Sequence, residues 1–207
     1  MVKGLTKFDN VNRSFFFIDS SDESLNSVET HLYGYCIEGE NIFDGKNENI
    51  KFPDEETVDG SFVFVEKVGT KIKIKQDYIG TYGLFLFRDK NYFALSNSFI
   101  MLVDNIKAKF PLSLNEDYIN HIFVGGKNQM GSLSLTETLI NEIEVLPRVY
   151  QVVIDIETKH LDLIQIYYDE YTVPIDSPEA LKILDQWALQ YTNIIKNLYN
   201  GGGAYTI

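Results

Sequence analysis

Apolar residues in this chain gather into short runs set apart by turn signals, a spacing that predicts strands along most of its length. Phe15–Ile18, Phe62–Val65, Leu84–Phe87, Tyr92–Leu95 and Val149–Ile154 are apolar almost without interruption. Glu38-Gly39, Asp44-Gly45, Asp59-Gly60, Val68-Gly69 and Asp89-Lys90-Asn91 supply the turns, because Gly, Asn and Asp tolerate the backbone angles of a tight reversal. A strand with one wet face alternates apolar with polar, whereas a continuous run needs cover on both faces. The gap at 89–91 leaves room only for a hairpin, so these strands pair antiparallel. Antiparallel strands covered on both faces predict two stacked sheets with helices outside. Phe62, Phe64, Leu84, Leu86, Phe93 and Val152 are expected in the core.

Helical spacing comes later. Ser113-Leu-Asn-Glu116 and Ser134-Leu-Thr-Glu137 both have the form of a capping box, in which the first and last side chains satisfy free amides of a helix's first turn. Tyr118, Ile119, Ile122 and Phe123 would share one face of the first helix, with Gly125-Gly126 as its stop; Leu139, Ile140 and Ile143 would follow in the second. After Pro147 a long strand pair is expected. The strongest helix starts at Ser177, a good N-cap, with Pro178 in the first helical position. Leu181, Leu184, Trp187, Ala188, Tyr191, Ile194, Ile195 and Leu198 form one apolar stripe along it, expected to pack.

Composition changes the picture mainly by exclusion. The 207 residues carry 18 Lys and Arg against 30 Asp and Glu, a net charge of -12. A protein that grips phosphate backbones needs basic clusters, and the densest basic stretch is Lys71, Lys73 and Lys75, alternating with Ile72 and Ile74. That alternation places the lysines on one face of a solvated or edge strand, so no nucleic-acid partner is expected. Cys36 is the sole cysteine, which excludes an internal disulfide and a thiolate zinc site. His31, His121 and His160 stand too far apart for ligand spacing. The N-terminal residues lack a signal-peptide apolar region, and Phe15–Ile18 is too short to span a bilayer; a cytoplasmic protein without membrane contact is expected.

The order of segments resembles the N-terminal glutaminase-type domain of the asparagine-synthetase-like family. Gly60-Ser-Phe-Val-Phe-Val65 resembles the family's Gly-x-Phe-Ala-Phe strand. Asp77-Tyr-Ile-Gly80 with Leu84-Phe85 resembles its Arg-Asp-x-x-Gly-x-x-Pro-Leu-Tyr segment, and Phe93-Ala-Leu-Ser-Asn-Ser-Phe-Ile-Met-Leu102 its Ala-Ser-Glu-x-Lys-Ala-Leu stretch. Leu114-Asn-Glu-Asp-Tyr118, Leu135–Ile143 with Leu146-Pro147, and Ile166-Tyr-Tyr-Asp169 resemble later landmarks, and the helix from Ser177 resembles the first helix of the synthetase half. The series runs from about Asp59 to Leu198. It implies an α+β fold of the N-terminal-nucleophile (Ntn) hydrolase-like type, a four-layer αββα sandwich of antiparallel sheets, plus a C-terminal helix. Residues 1–172 would form the glutaminase-like domain. Residues 173–207 would be a linker helix and the start of a truncated synthetase domain.

Departures from the family pattern decide the expected function. Active members carry a cysteine directly after the initiator Met; its thiolate attacks glutamine while its own α-amine serves as base. This chain has Val2 there. The family's Asn-Gly-Glu-x-Tyr-Asn loop is absent, Glu38-Gly-Glu-Asn41 being a turn at best, and Ser21-Asp-Glu-Ser24 reads as a polar loop or helix cap. Gly201-Gly-Gly203 lacks the serine and aspartate of the synthetase half's Ser-Gly-Gly-x-Asp-Ser phosphate cradle. No catalytic, cofactor-binding or metal-binding residue is therefore assigned. The resemblance implies a non-catalytic pseudo-glutaminase domain that scaffolds an ATP-dependent amide-forming synthetase. ATP and Mg would belong to the absent synthetase domain, which would be the partner, alongside a homodimer. Relatives such as β-lactam synthetases and lasso-peptide cyclases manage without a glutamine-splitting site. Two other readings stand beside it: a self-sufficient interaction or small-molecule-binding module, and an amidohydrolase exposed by proteolysis at Cys36, whose bland alternative is a small buried strand residue.

Overall fold

A two-residue reversal at Lys90-Asn91 folds β6 (Phe85–Asp89) back against β7 (Tyr92–Ser96) in antiparallel register, with Lys90 at a positive φ of 30°. The hairpin expected from the short gap is present. The structure, a computed structural model, describes residues 15–38, 41–44, 59–77, 79–125, 136–166 and 172–200. Among these, β1 (Phe17–Asp19), β7, β6 and β8 (Ile143–Val145) form a four-stranded sheet in that order. A six-stranded sheet runs β10 (His160–Gln165), β9 (Tyr150–Asp155), β5 (Lys71–Gln76), β4 (Asp59–Val68), β2 (His31–Glu38) and β3 (Asn41–Asp44). Every strand pairing is antiparallel. With the helices α1 (Asp22–Ser27), α2 (Phe99–Ile106), α3 (Glu116–Gly125) and α4 (Pro178–Asn200), the chain is α+β.

The two sheets share one core. Ile18, Leu86, Phe93 and Leu95 of the smaller sheet join Val63, Val65, Ile72, Ile74, Val152 and Ile154 of the larger in a single buried cluster. Phe87 and Ala94 point the other way, into a second cluster with Leu102 and Ile106 of α2. Continuous apolar runs on β6 and β7 thus have the expected cause: one face meets a sheet, the other a helix. On the far side of the larger sheet Leu32, Cys36, Phe62 and Phe64 form a third buried cluster. All six residues expected in the core are buried.

Several local expectations need correction. Strand β5 lies between β4 and β9 instead of at an edge, so its lysines grade from exposed Lys71 through half-buried Lys73 to buried Lys75. Asp59-Gly60 opens β4 and is no turn. No helix follows Glu137: Thr138 Oγ1 lies 2.8 Å from both Ile140 O and Ile143 O and accepts from Ile140 N. That hydroxyl occupies backbone groups a helix would need, and the segment turns into β8 through a bridge between Leu114 and Ile140. Ser134 lies outside the described residues. Asn115 caps α3, accepting from Tyr118 N at 3.0 Å, while Ser113 binds the Glu142 carboxylate through its amide and hydroxyl. Helix α2 was not expected, although Phe99, Leu102, Val103 and Ile106 are helically spaced behind the N-cap Ser98. Helix α4 has the expected cap, with Ala180 N donating to Ser177 Oγ at 3.1 Å. Leu181, Leu184, Trp187 and Ile195 of its stripe, however, are exposed instead of packed. No helix among the described residues is long and apolar enough to cross a membrane.

Candidate functional site

Four buried polar residues, Gln76, Asp77, Ser96 and Asn97, lie at one end of the stacked sheets. The hydrogen-bond ladder fixes that placement. Phe85 pairs with both Ser96 and Val145 at the end of the smaller sheet. Leu146, one residue beyond, donates its amide to Leu84 O at 2.8 Å, and its carbonyl accepts from Gln76 Nε2 at 3.1 Å. The smaller sheet is thereby tied to the end of β5 in the larger.

Asp77 is the hub of this end. Its Oδ1 accepts from Ile79 N, Gly80 N, Thr81 N and Thr81 Oγ1 at 2.8–3.2 Å, and its Oδ2 accepts from Phe62 N and Thr81 N at 3.2 and 3.1 Å. The Asp77 amide returns to Phe62 O at 2.9 Å. A carboxylate has about four lone-pair directions, so these five donor groups saturate it and leave it to anchor the 79–81 turn. Gly80 takes a φ of +71° there, beside Arg148. Gly34 of β2 requires its own lack of a side chain: with φ at +100°, an added Cβ would sit 2.1 Å from Ser61 O and 2.9 Å from the Tyr82 ring. The opposite corner is held as tightly. Ser96 Oγ donates to Phe16 O at 2.6 Å, and Asn97 Oδ1 accepts from Phe16 N at 2.9 Å.

This end collects several of the segments singled out from the sequence: Gly60–Val65, Asp77 with Gly80, Leu84-Phe85, Ser96-Asn97 and Leu146. Sequence reading marked them only as a series and missed that Asp77 and Gln76 join them; an acid and an amide closing a strand, three residues before a glycine, was the available signal. Cys36 pairs with Gly60 on one side and Phe43 on the other, so its backbone lies inside the ladder. Its side chain is buried with Leu32, Phe62 and Phe64, on the face away from the smaller sheet. The histidines do not converge. His31 opens β2 against Tyr33 at 4.5 Å, His121 is exposed on α3, and exposed His160 meets Asp162 at 3.1 Å. Val2 and Gly201–Gly203 lie outside the described residues. Among the described residues, no group of three or more His, Cys, Asp or Glu side chains is placed to hold a metal ion.

A second polar network stands on the outer side of the smaller sheet. Buried Asp19 accepts from the Ser21 amide and hydroxyl and from Tyr92 Oη at 2.8 Å, with Lys109 Nζ at 3.5 Å. Burial opposes its ionisation, but the Ser21 bonds, then Tyr92 and the Lys109 charge, together hold the carboxyl below its ordinary value. Burial first, then the Asp19 bond, pushes the Tyr92 phenol above its own. A lowered carboxyl contributes stability that is complete above its unfolded value, about 3.9, and is lost as pH falls through the lower folded value. Asp19→Asn should therefore lose less stability than the parent chain between about pH 5 and pH 2. Urea midpoints across that range check it; parallel acid limbs would remove Asp19 as a contributor. Compared with known proteins, the chain matches no family model and no curated protein.

Proposed function

We propose that this chain is a non-catalytic, pseudo-glutaminase domain of the asparagine-synthetase-like type, built on a four-layer αββα sandwich and serving as scaffold for an ATP-dependent amide-forming synthetase domain. The observation that carries the reading is the meeting of four of its family-like segments, those holding Phe62, Asp77, Leu84 and Leu146, at one end of two stacked antiparallel sheets. Such an end is where a glutamine-splitting site would need ordered turns. The chain keeps the order, while Cys36 sits mid-strand with peptide bonds on both sides and no free α-amine. ATP and Mg do not fit the residues present, since Gly201–Gly203 lacks the serine and aspartate of a phosphate cradle; they belong to the proposed partner domain.

Purified chain incubated with glutamine should release ammonia and glutamate no faster than buffer. Turnover that disappears in Cys36→Ala would overturn the assignment in favour of a cysteine amidohydrolase. An experimental structure tests the architecture: helices should cover the Leu32, Phe62 and Phe64 face of the larger sheet, and a third sheet there would exclude the αββα arrangement. A second reading, a self-sufficient interaction module, is favoured by one observation, the exposed apolar stripe of α4.

A further inference from the structure

We propose that α4 is a self-association helix, pairing antiparallel with α4 of a second copy of this chain. Among its exposed large apolar residues are Leu181, Leu184, Trp187 and Ile195, at 58%, 54%, 52% and 63% of full exposure. Isolated apolar residues at a surface need no explanation, but a contiguous stripe does. These four side chains present on the order of 400 Å² per copy, so two copies with their flanking residues approach the ~1,200 Å² of a small stable interface.

The spacing says what kind of surface covers the stripe. Leu181, Leu184, Ala188, Tyr191 and Ile195 follow one another at intervals of three, four, three and four residues, which is the seam of a helix that packs against another helix. Charge on the helix does not oppose pairing with the chain's own copy. The protein carries -12 overall, yet α4 holds two acids, Glu179 and Asp185, and two bases, Lys182 and Lys196. Two such helices meet without net repulsion. The four charges all fall on the side of the helix opposite or flanking the seam, so none is buried by pairing.

Residue sizes and charge edges then select the antiparallel orientation. In antiparallel register Leu184 lies across from Ile195 of the second copy, and Ala188 across from Tyr191, small against large. In parallel register Ala188 would face Ala188 and Tyr191 would face Tyr191, leaving a gap beside a clash. The antiparallel arrangement also brings equivalent edges together. Asp185 then stands beside Lys196 of the second copy, and the edge bearing Trp187 meets its own equivalent. Trp187 and Tyr191 already pack together, tilted, at 4.4 Å between ring centroids, which limits the ordering left to be done on association.

Sedimentation of the 207-residue chain over a wide concentration range should show a monomer–dimer equilibrium. The emission of Trp187, the sole tryptophan, should shift to the blue as dimer forms. Leu184→Asp, at an exposed position, should weaken dimerisation by at least about tenfold with an unchanged circular dichroism spectrum. The double variant Leu184→Cys with Ile195→Cys should oxidise to a covalent dimer, and Leu184→Cys alone should not. A monomer at all concentrations overturns the proposal, as does open-ended assembly. A monomer whose Trp187 emission is already blue-shifted would place the stripe against its own chain and overturn it as well. Cross-linking of the lone Leu184→Cys variant would overturn the antiparallel pairing. None of these outcomes depends on the glutaminase-like reading, which the glutamine assay tests separately.

Discussion

Replacing Asp77 by alanine should cost the fold about 3–5 kcal/mol, more than the loss of any single surface contact. Five donor groups meet its two oxygens: the amides of Phe62, Ile79, Gly80 and Thr81 and the Thr81 hydroxyl. Truncation removes the acceptor and leaves the donors. Ile79 and Thr81 are exposed and can turn to water, but Phe62 is buried inside β4, and an orphaned buried amide costs roughly 1–3 kcal/mol. The turn then loses its anchor and with it the ordered approach of Arg148 and Tyr82. Asp77→Asn separates charge from geometry. The amide keeps an acceptor at one position but aims an N–H₂ at the donors on the other, so about 2–3 kcal/mol should be lost despite near-identical shape. Urea denaturation of both variants decides it. Losses below about 1 kcal/mol for both would show that the carboxylate only decorates a turn held by other forces.

Why Asp77 is marked in the sequence only as part of a family-like segment, and not as the residue that joins the others, shows what pattern reading reaches. Apolar runs reported the strands well because burial on two faces is written locally, in consecutive residues such as Leu84–Phe87. The hairpin at Lys90-Asn91 was legible for the same reason: two residues fix it. Long-range matters were hidden. Nothing near Lys71–Lys75 says that β5 has neighbours on both sides: β4 is its hairpin partner across Gly69-Thr70, but the second neighbour, Val152–Asp155 of β9, comes from a distant segment. Thr138 had the spacing of a helix interior, but its hydroxyl found the carbonyls of Ile140 and Ile143, a choice made by the bridge to Leu114. For α4 the stripe correctly gave a helix, yet periodicity records only that a face wants cover, not where the cover comes from. The candidate site was legible as a list of segments and illegible as a place, because the bonds that assemble it span from 15 residues, Phe62 to Asp77, to 81, Phe16 to Asn97.

Phe64→Ala should also cost about 3–5 kcal/mol, the range for emptying a packed aromatic site, and it tests the layer the proposal needs most. Phe64 is fully buried, but with Leu32, Cys36 and Phe62, on the side of the larger sheet turned away from the smaller one. Ile72, on the next strand, is fully buried in the core between the sheets. Ile72→Ala should lose about 2–5 kcal/mol whatever covers the outer face, so it serves as the internal standard. Arg88→Ala, removing an exposed ion pair to Glu144 at 2.7 Å, should stay within about 1 kcal/mol. Urea unfolding of the three variants, with slopes compared to confirm that the same surface is exposed, places Phe64 between those limits. A loss matching Ile72→Ala means the outer face is closed as firmly as the inter-sheet core, as a four-layer sandwich requires. A loss no larger than that of Arg88→Ala would mean that Phe64 gains nothing from its neighbours, and the αββα reading would lose its physical basis, since a sheet with that face open has no reason to place four apolar side chains on it.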